Sequence, residues 1–149
     1  MSTFLAVALV LHVVLGLIGL ACIHLALMQL IRREPPYGLV SKASFLSAAF
    51  FLLSWTTGAY YYVVYYGTAV KPRILAGAYP WAHQVMMESK EHIFLLVPFL
   101  VIAVWLASRA LQNAGDPRLK VVTSVAAATA LGLGTLVAAA GILVSGGVI

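Results

Sequence analysis

The sequence predicts an all-α fold, a four-helix transmembrane bundle of up-down topology that makes up a single integral membrane domain over residues 1–149. Three observations predict it. Of the 149 residues, 63% are hydrophobic and 9% charged, with a mean hydropathy of +1.03, which is more apolar surface than a water-soluble domain of this size can hide in a core. The apolar residues gather into four runs, each as long as the ~20 residues that cross a bilayer as a helix. Most charged residues stand between those runs or at their ends.

The first span is expected over about residues 4–31, from Phe4 to Ile31. It closes at Arg32 and Arg33, just before Pro35 and Pro36, whose rings have no N–H to continue a helix. No Lys or Arg precedes this run and it continues past Cys22, so it is read as a retained span and not as a cleaved leader. The second span is expected over about 44–66, from Ser44, and its end carries Tyr60, Tyr61, Tyr62, Tyr65 and Tyr66 as an interfacial aromatic belt. A loop around Lys71, Pro72 and Arg73 follows. The third span, about 80–111, opens at Pro80, a first-turn position where a missing N–H costs nothing, with Trp81 as a further interfacial anchor. Pro98 inside it predicts a kink. The fourth span, about 121–148, runs from Val121 to Val148 and presents Gly134, Ala138 and Gly141 at a spacing that suits close helix contact.

Orientation follows from the basic residues. The first loop region holds Arg32, Arg33 and Lys42, the third holds Arg109, Arg118 and Lys120, and the second holds only Lys71 and Arg73. Six against two puts the first and third loops in the cytoplasm and both termini on the non-cytoplasmic side, in what is expected to be a bacterial inner (plasma) membrane. These positions also account for the net charge of +5 without a nucleic-acid surface, because no aromatic-interleaved basic face is present. The one cysteine, Cys22, excludes an intrachain disulfide and a Cys-x-x-Cys redox pair. The expected partners are the lipid bilayer and either other membrane subunits or further copies of this chain. A faint internal repeat pairs the first and third helices: each carries a histidine toward its outer end and ends in arginine before a proline-containing turn.

Ionisable residues within or at the edge of a span are costly, and each is a functional hypothesis by default. Here they are His12, His24 and the group His83, Glu88, Lys90, Glu91 and His92. At 1.5 Å per residue, His12 lies about 30 Å from Arg32 and His92 about 25 Å from Arg109, a similar height in the outer leaflet. His24 lies lower, with Met28 one turn below it, and is expected to be a packing histidine. At about 100° per residue, Gln84, Glu88, Glu91 and His92 share one arc, expected to face inward, while Lys90 points away from it. Gly16 and Gly19 lie below His12 and leave a groove open to a flat ligand or to another backbone.

Two opposed imidazoles on separate helices can ligate haem iron axially, so one expectation is haem b held by His12 and His92, with Gly16 and Gly19 making room. Another is a non-haem metal site drawn from His12, His92, Glu88 and His83, or from Glu88, Glu91 and His92. The same groups suit a proton relay or a quinone-binding site. A plainer reading leaves Glu88, Lys90 and Glu91 solvated in turns above the membrane, where carboxylates complement the helix dipole.

With histidines on the first and third helices of a four-span chain, and with the run Glu91-His92-Ile93-Phe94-Leu95-Leu96-Val97-Pro98, the sequence resembles small membrane b-type cytochromes and haem-handling proteins linked to cytochrome oxidase assembly. The resemblance implies a membrane electron-transfer or haem b-binding subunit, a redox subunit more than a free-standing enzyme. The competing expectation is a cofactor-free accessory or assembly subunit whose Ala/Gly-rich fourth helix packs against larger partners.

Overall fold

A computed structural model describes residues 2–147. It contains four helices, α1 (Thr3–Leu30), α2 (Tyr37–Ala76), α3 (Ala82–Ala114) and α4 (Pro117–Gly146), each long and apolar enough to cross a membrane. Large apolar side chains point outward from the bundle, among them Val10 and Leu17 on α1, Phe99 on α3 and Val125 and Ile142 on α4. A surface of that kind is stable against hydrocarbon and unstable against water. The chain is an integral membrane protein.

Local chemistry sets the helix ends. The Ser2 hydroxyl accepts the Leu5 N–H at 3.4 Å and caps α1. The Pro36 carbonyl accepts the N–H groups of Leu39 (2.8 Å) and Val40 (3.1 Å), so α2 starts at Tyr37, well before the expected Ser44. It also runs past Tyr66 and through Lys71, Pro72 and Arg73, which were expected to form a loop. The continuation has a physical cause. Residues Tyr62–Val70 form a π-helical segment and a regular α-helix resumes at Lys71, so the Pro72 ring occupies a first-turn position that needs no N–H.

Pro80 stands just ahead of α3, its carbonyl accepting from His83 and Gln84 at 3.1 Å. Residues Ala82–Met87 are again π-helical, and Pro98 lies buried within the helix without ending it. α3 stops at Gly115, which turns left-handed at φ 60° and returns its N–H to the Leu111 carbonyl. The Asp116 side chain then accepts the Arg118 N–H at 2.8 Å, and Pro117 is the first residue of α4, ahead of the expected Val121. The expected end of this helix at Val148 lies outside the described residues.

The helices pack in a ring: α1 on α2, α2 on α3, α3 on α4 and α4 on α1. Cross-links show that neighbours run antiparallel. His12 meets Ser54 while Ser47 meets Gly19; Phe45 meets Trp105 while Tyr66 meets His83; Lys120 donates to the Arg32 carbonyl at 2.7 Å while Gly134 faces Leu20. The main core joins Ile23, Leu30, Phe51, Val97, Val101 and Ala130. At 1.5 Å per residue α2 is about 60 Å long and α3 about 50 Å, against about 42 Å for α1, so α2 and α3 overhang the bundle at the end opposite Arg32 and Lys120. The overhang has its own small core of Tyr66, Ile74 and Ala82, closed by Val144 of α4.

Candidate functional site

The inward face of α3 is set by its apolar seam. Val97, Val101, Val104, Ser108 and Leu111 are buried at alternating spacings of four and three. Continued toward the N-terminus, the same spacing passes through Phe94, Lys90, Met87 and His83. His83 is buried and the other three are half-buried. This corrects the expectation for the polar stripe. Gln84, Glu88 and His92 are exposed and line a shallow groove of about 480 Å³ on the outside of α3 with Val85, Ser89 and Ile93, while Lys90, expected to point away, turns inward. Packing four apolar side chains outweighs pointing three polar ones inward, so the seam decides the rotation of the helix.

His12 sits between α1 and α2. Its Nδ1 lies 2.8 Å from the Ser54 carbonyl oxygen, and the Ser54 hydroxyl donates to the His12 carbonyl at 2.7 Å. A carbonyl only accepts, so Nδ1 carries the proton and Nε2 keeps its lone pair. Gly58 lies flat beneath the ring, leaving no room for a Cβ. The Phe94 ring stands edge-on 6.1 Å away. Gly16 and Gly19, expected to make room for a macrocycle, are covered instead by Ser54 and Phe51 of α2, so the groove admits another helix and no flat ligand. Sequence reasoning missed this serine-lined contact. Its signal was Ser44, Ser47, Phe51 and Ser54 falling on one face of α2 at the seam spacing.

His92 shows the same internal bonding, its Nδ1 2.7 Å from the Glu88 carbonyl, but it is exposed. It lies two residues from Phe94, so at about 100° per residue it stands about 200° around α3 from the side chain that faces His12. The structure does not bring the two imidazoles together. Their equal height was legible, but their azimuth was not. The residues present therefore do not fit a haem clamped between His12 and His92. Glu88 and His92 share the outer face while Glu91 lies on the inner side, and no group of three His, Cys, Asp or Glu side chains converges among the described residues. His24 is exposed on α1, as is Met28, and is not a packing histidine.

The polar groups that do gather lie at the overhanging end. Tyr66 leaves the expected belt and is buried, its hydroxyl 3.0 Å from the Nδ1 of buried His83. Tyr62 stacks on Tyr66 with ring centroids 5.2 Å apart, whereas Tyr60 stays exposed beside Phe4 as an interfacial ring. The Tyr66–His83 pair joins the two π-helical segments, a geometry frequent at functional sites. Two turns deeper along α3, the Lys90 ammonium lies 3.4 Å from where a Cβ on Gly141 would stand. Beside it, Glu91 Oε1 is buried with no hydrogen-bond partner among the described residues. Such an atom marks a place for a proton, a water or a ligand donor.

Comparison of the chain with protein-family models, curated proteins and solved structures gives no match, so the site rests on its own geometry.

Proposed function

We propose that this protein is a proton-exchanging subunit of a membrane redox system, acting in the non-cytoplasmic half of the bilayer through His12, Lys90, Glu91 and the Tyr66–His83 pair. The observation that carries the reading is Glu91 Oε1, buried with no hydrogen-bond partner among the described residues, on a carboxylate that lies beside the Tyr62 hydroxyl. A carboxylate oxygen left without a donor away from water is costly, and natural bundles keep such groups where protons or ligands move. His12 supports the same reading, because its Nδ1 proton is fixed on Ser54 and its Nε2 lone pair remains open to accept a second one. Tyr66 and His83 add an exchangeable hydroxyl proton on the side of the overhang.

Orientation rests on the basic residues at the opposite end, where Lys120 reaches the Arg32 carbonyl. The redox centre belongs to a partner subunit, because His12 and His92 face different directions.

The test is infrared difference spectroscopy of the full chain in lipid nanodiscs through a pH jump. A carboxyl band that changes with pH in the parent protein and is lost in Glu91→Gln is the expected result. A spectrum with no responding carboxyl, or one that Glu91→Gln leaves unaltered, overturns the proposal.

A further inference from the structure

We infer that the groove between α3 and α4 is a binding site for a quinone headgroup, held by the Lys90 ammonium; this rests on the reading of Lys90 and Glu91 as a redox-linked site. The groove has a volume of about 180 Å³ and is lined by Met86, Ser89, Lys90 and Ile93 of α3 and by Leu136 and Ala140 of α4. Leu136 is exposed on the outer surface of the bundle, so the groove opens sideways to hydrocarbon. A ligand dissolved in the bilayer reaches it without crossing water.

The lining has the composition of a site for a flat, mostly apolar ring with polar oxygens at its edge. Met86, Ile93 and Leu136 offer apolar walls, and the methionine sulfur suits an aromatic face. Lys90 is the one charged donor. Its ammonium lies against Gly141 of α4, next to Ala140 of the groove wall, where a Cβ on Gly141 would stand 3.4 Å from Nζ. Ser89 lies beside it. Several helical serines of this chain, Ser44, Ser108, Ser124 and Ser145, donate to the carbonyl four residues back, a bond that Ser89 does not make among the described residues. A quinone carbonyl accepts a charge-assisted hydrogen bond from Lys90, with the Ser89 hydroxyl as a second donor at the ring edge.

Charge selects against the other ligand that a membrane lysine attracts, a lipid phosphate. The Glu91 carboxylate follows Lys90 in the chain and lies on the same inner side of α3, so the local field is not that of an anion site. A neutral carbonyl is favoured. Lys90 lies 19 residues from Arg109, about 28 Å along the helix and close to the thickness of the hydrocarbon core, which puts the ring at the outer boundary of the apolar layer.

The experiment uses the full chain in phosphatidylcholine nanodiscs and an azido-ubiquinone analogue as photolabel, with the labelled residues mapped by mass spectrometry. Saturable labelling of one site per chain within residues 86–93 and 136–140, displaced by unlabelled decylubiquinone, is expected. Lys90→Met and Ala140→Leu, which remove the donor and fill the groove from the other helix, should each weaken labelling by about tenfold, one lost charge-assisted bond or one blocked ring. Labelling that rises in proportion to quinone in the lipid, that maps elsewhere, that both variants leave unchanged, or that phosphatidylglycerol displaces, overturns the inference. Its failure is separable from that of the proton reading: the Glu91→Gln infrared result stands whether or not the photolabel binds.

Discussion

Replacing Gly58 by alanine tests the seat of His12 directly. A Cβ at position 58 would come 2.7 Å from the imidazole Cε1, closer than real Cβ atoms approach, and 3.1 Å from Cγ, a tight contact. Neither neighbour has slack, because the ring is tied to the Ser54 carbonyl at 2.8 Å and the Ser54 hydroxyl is tied to the His12 backbone at 2.7 Å. The imidazole must therefore swing off Ser54 or α2 must back away from α1. Losing the hydrogen bond costs about 1 kcal/mol and overpacking a tight contact costs about 1–3 kcal/mol. Alanine's better helix propensity returns about 1 kcal/mol, so the net destabilisation is about 1–3 kcal/mol. Gly132→Ala is the control, since a Cβ there meets nothing within 4 Å, and it should be neutral or slightly stabilising. Unfolding in mixed detergent micelles measures both, and the pair His12→Ala with Gly58→Ala completes a double-mutant cycle. The cycle should recover most of the Gly58→Ala loss once the ring is gone. Equal stability of Gly58→Ala and Gly132→Ala, or additive losses in the cycle, would refute the close packing of His12 on Gly58.

Three further outcomes follow from the same geometry. Tyr66→Phe removes the hydroxyl that meets His83 Nδ1 and leaves a buried polar atom without that partner, for a loss of about 1–3 kcal/mol in the same unfolding assay; no loss would mean that the pair is open to water. In a Cys22→Ser background, Ala78→Cys in the α2–α3 turn should react with a membrane-impermeant maleimide on intact cells, and Asn113→Cys, at the other end, only after permeabilisation; the reverse pattern inverts the orientation. The separation of His12 from His92 predicts no b-type band in the reduced-minus-oxidised spectrum of protein purified from haem-replete cells. A band that disappears in both His12→Ala and His92→Ala would show that the two imidazoles do meet.

Much of the architecture was legible because it is written in strong local signals. Unbroken apolar runs mark the spans, whereas the starts at Tyr37 and Pro117 were missed, because the proline and capping signals of Pro36 and Asp116-Pro117 lie ahead of the apolar runs. The extension of α2 was hidden because Pro72 normally ends a helix, and only the π-helical segment before it makes the ring tolerable. The rotation of α3 was misread for a different reason. A polar stripe and an apolar seam both occur on that helix, and the seam carries more free energy because every member of it is packed against a neighbour. Had the spacing of Val97 to Leu111 been carried backward, Lys90 and His83 would have emerged as the inward groups. The serine contact of Ser54 with His12 left only the one-face spacing of Ser44, Ser47 and Ser54 as a trace, and a lone hydroxyl is tolerated on either face of a helix, so the spacing did not stand out.

The hydrogen bonds of His12 and its close backbone contact lie between residues 12 and 58. Synthesis proceeds from the N-terminus, and the α1–α2 hairpin is the first half of the bundle to leave the ribosome. The hydrogen bonds that set the imidazole's position and tautomer therefore need only the first hairpin, and neither Lys90 nor Glu91. The second hairpin is received by a surface already formed, and a substitution at Gly58 would disturb membrane assembly before the site has any chemistry to lose.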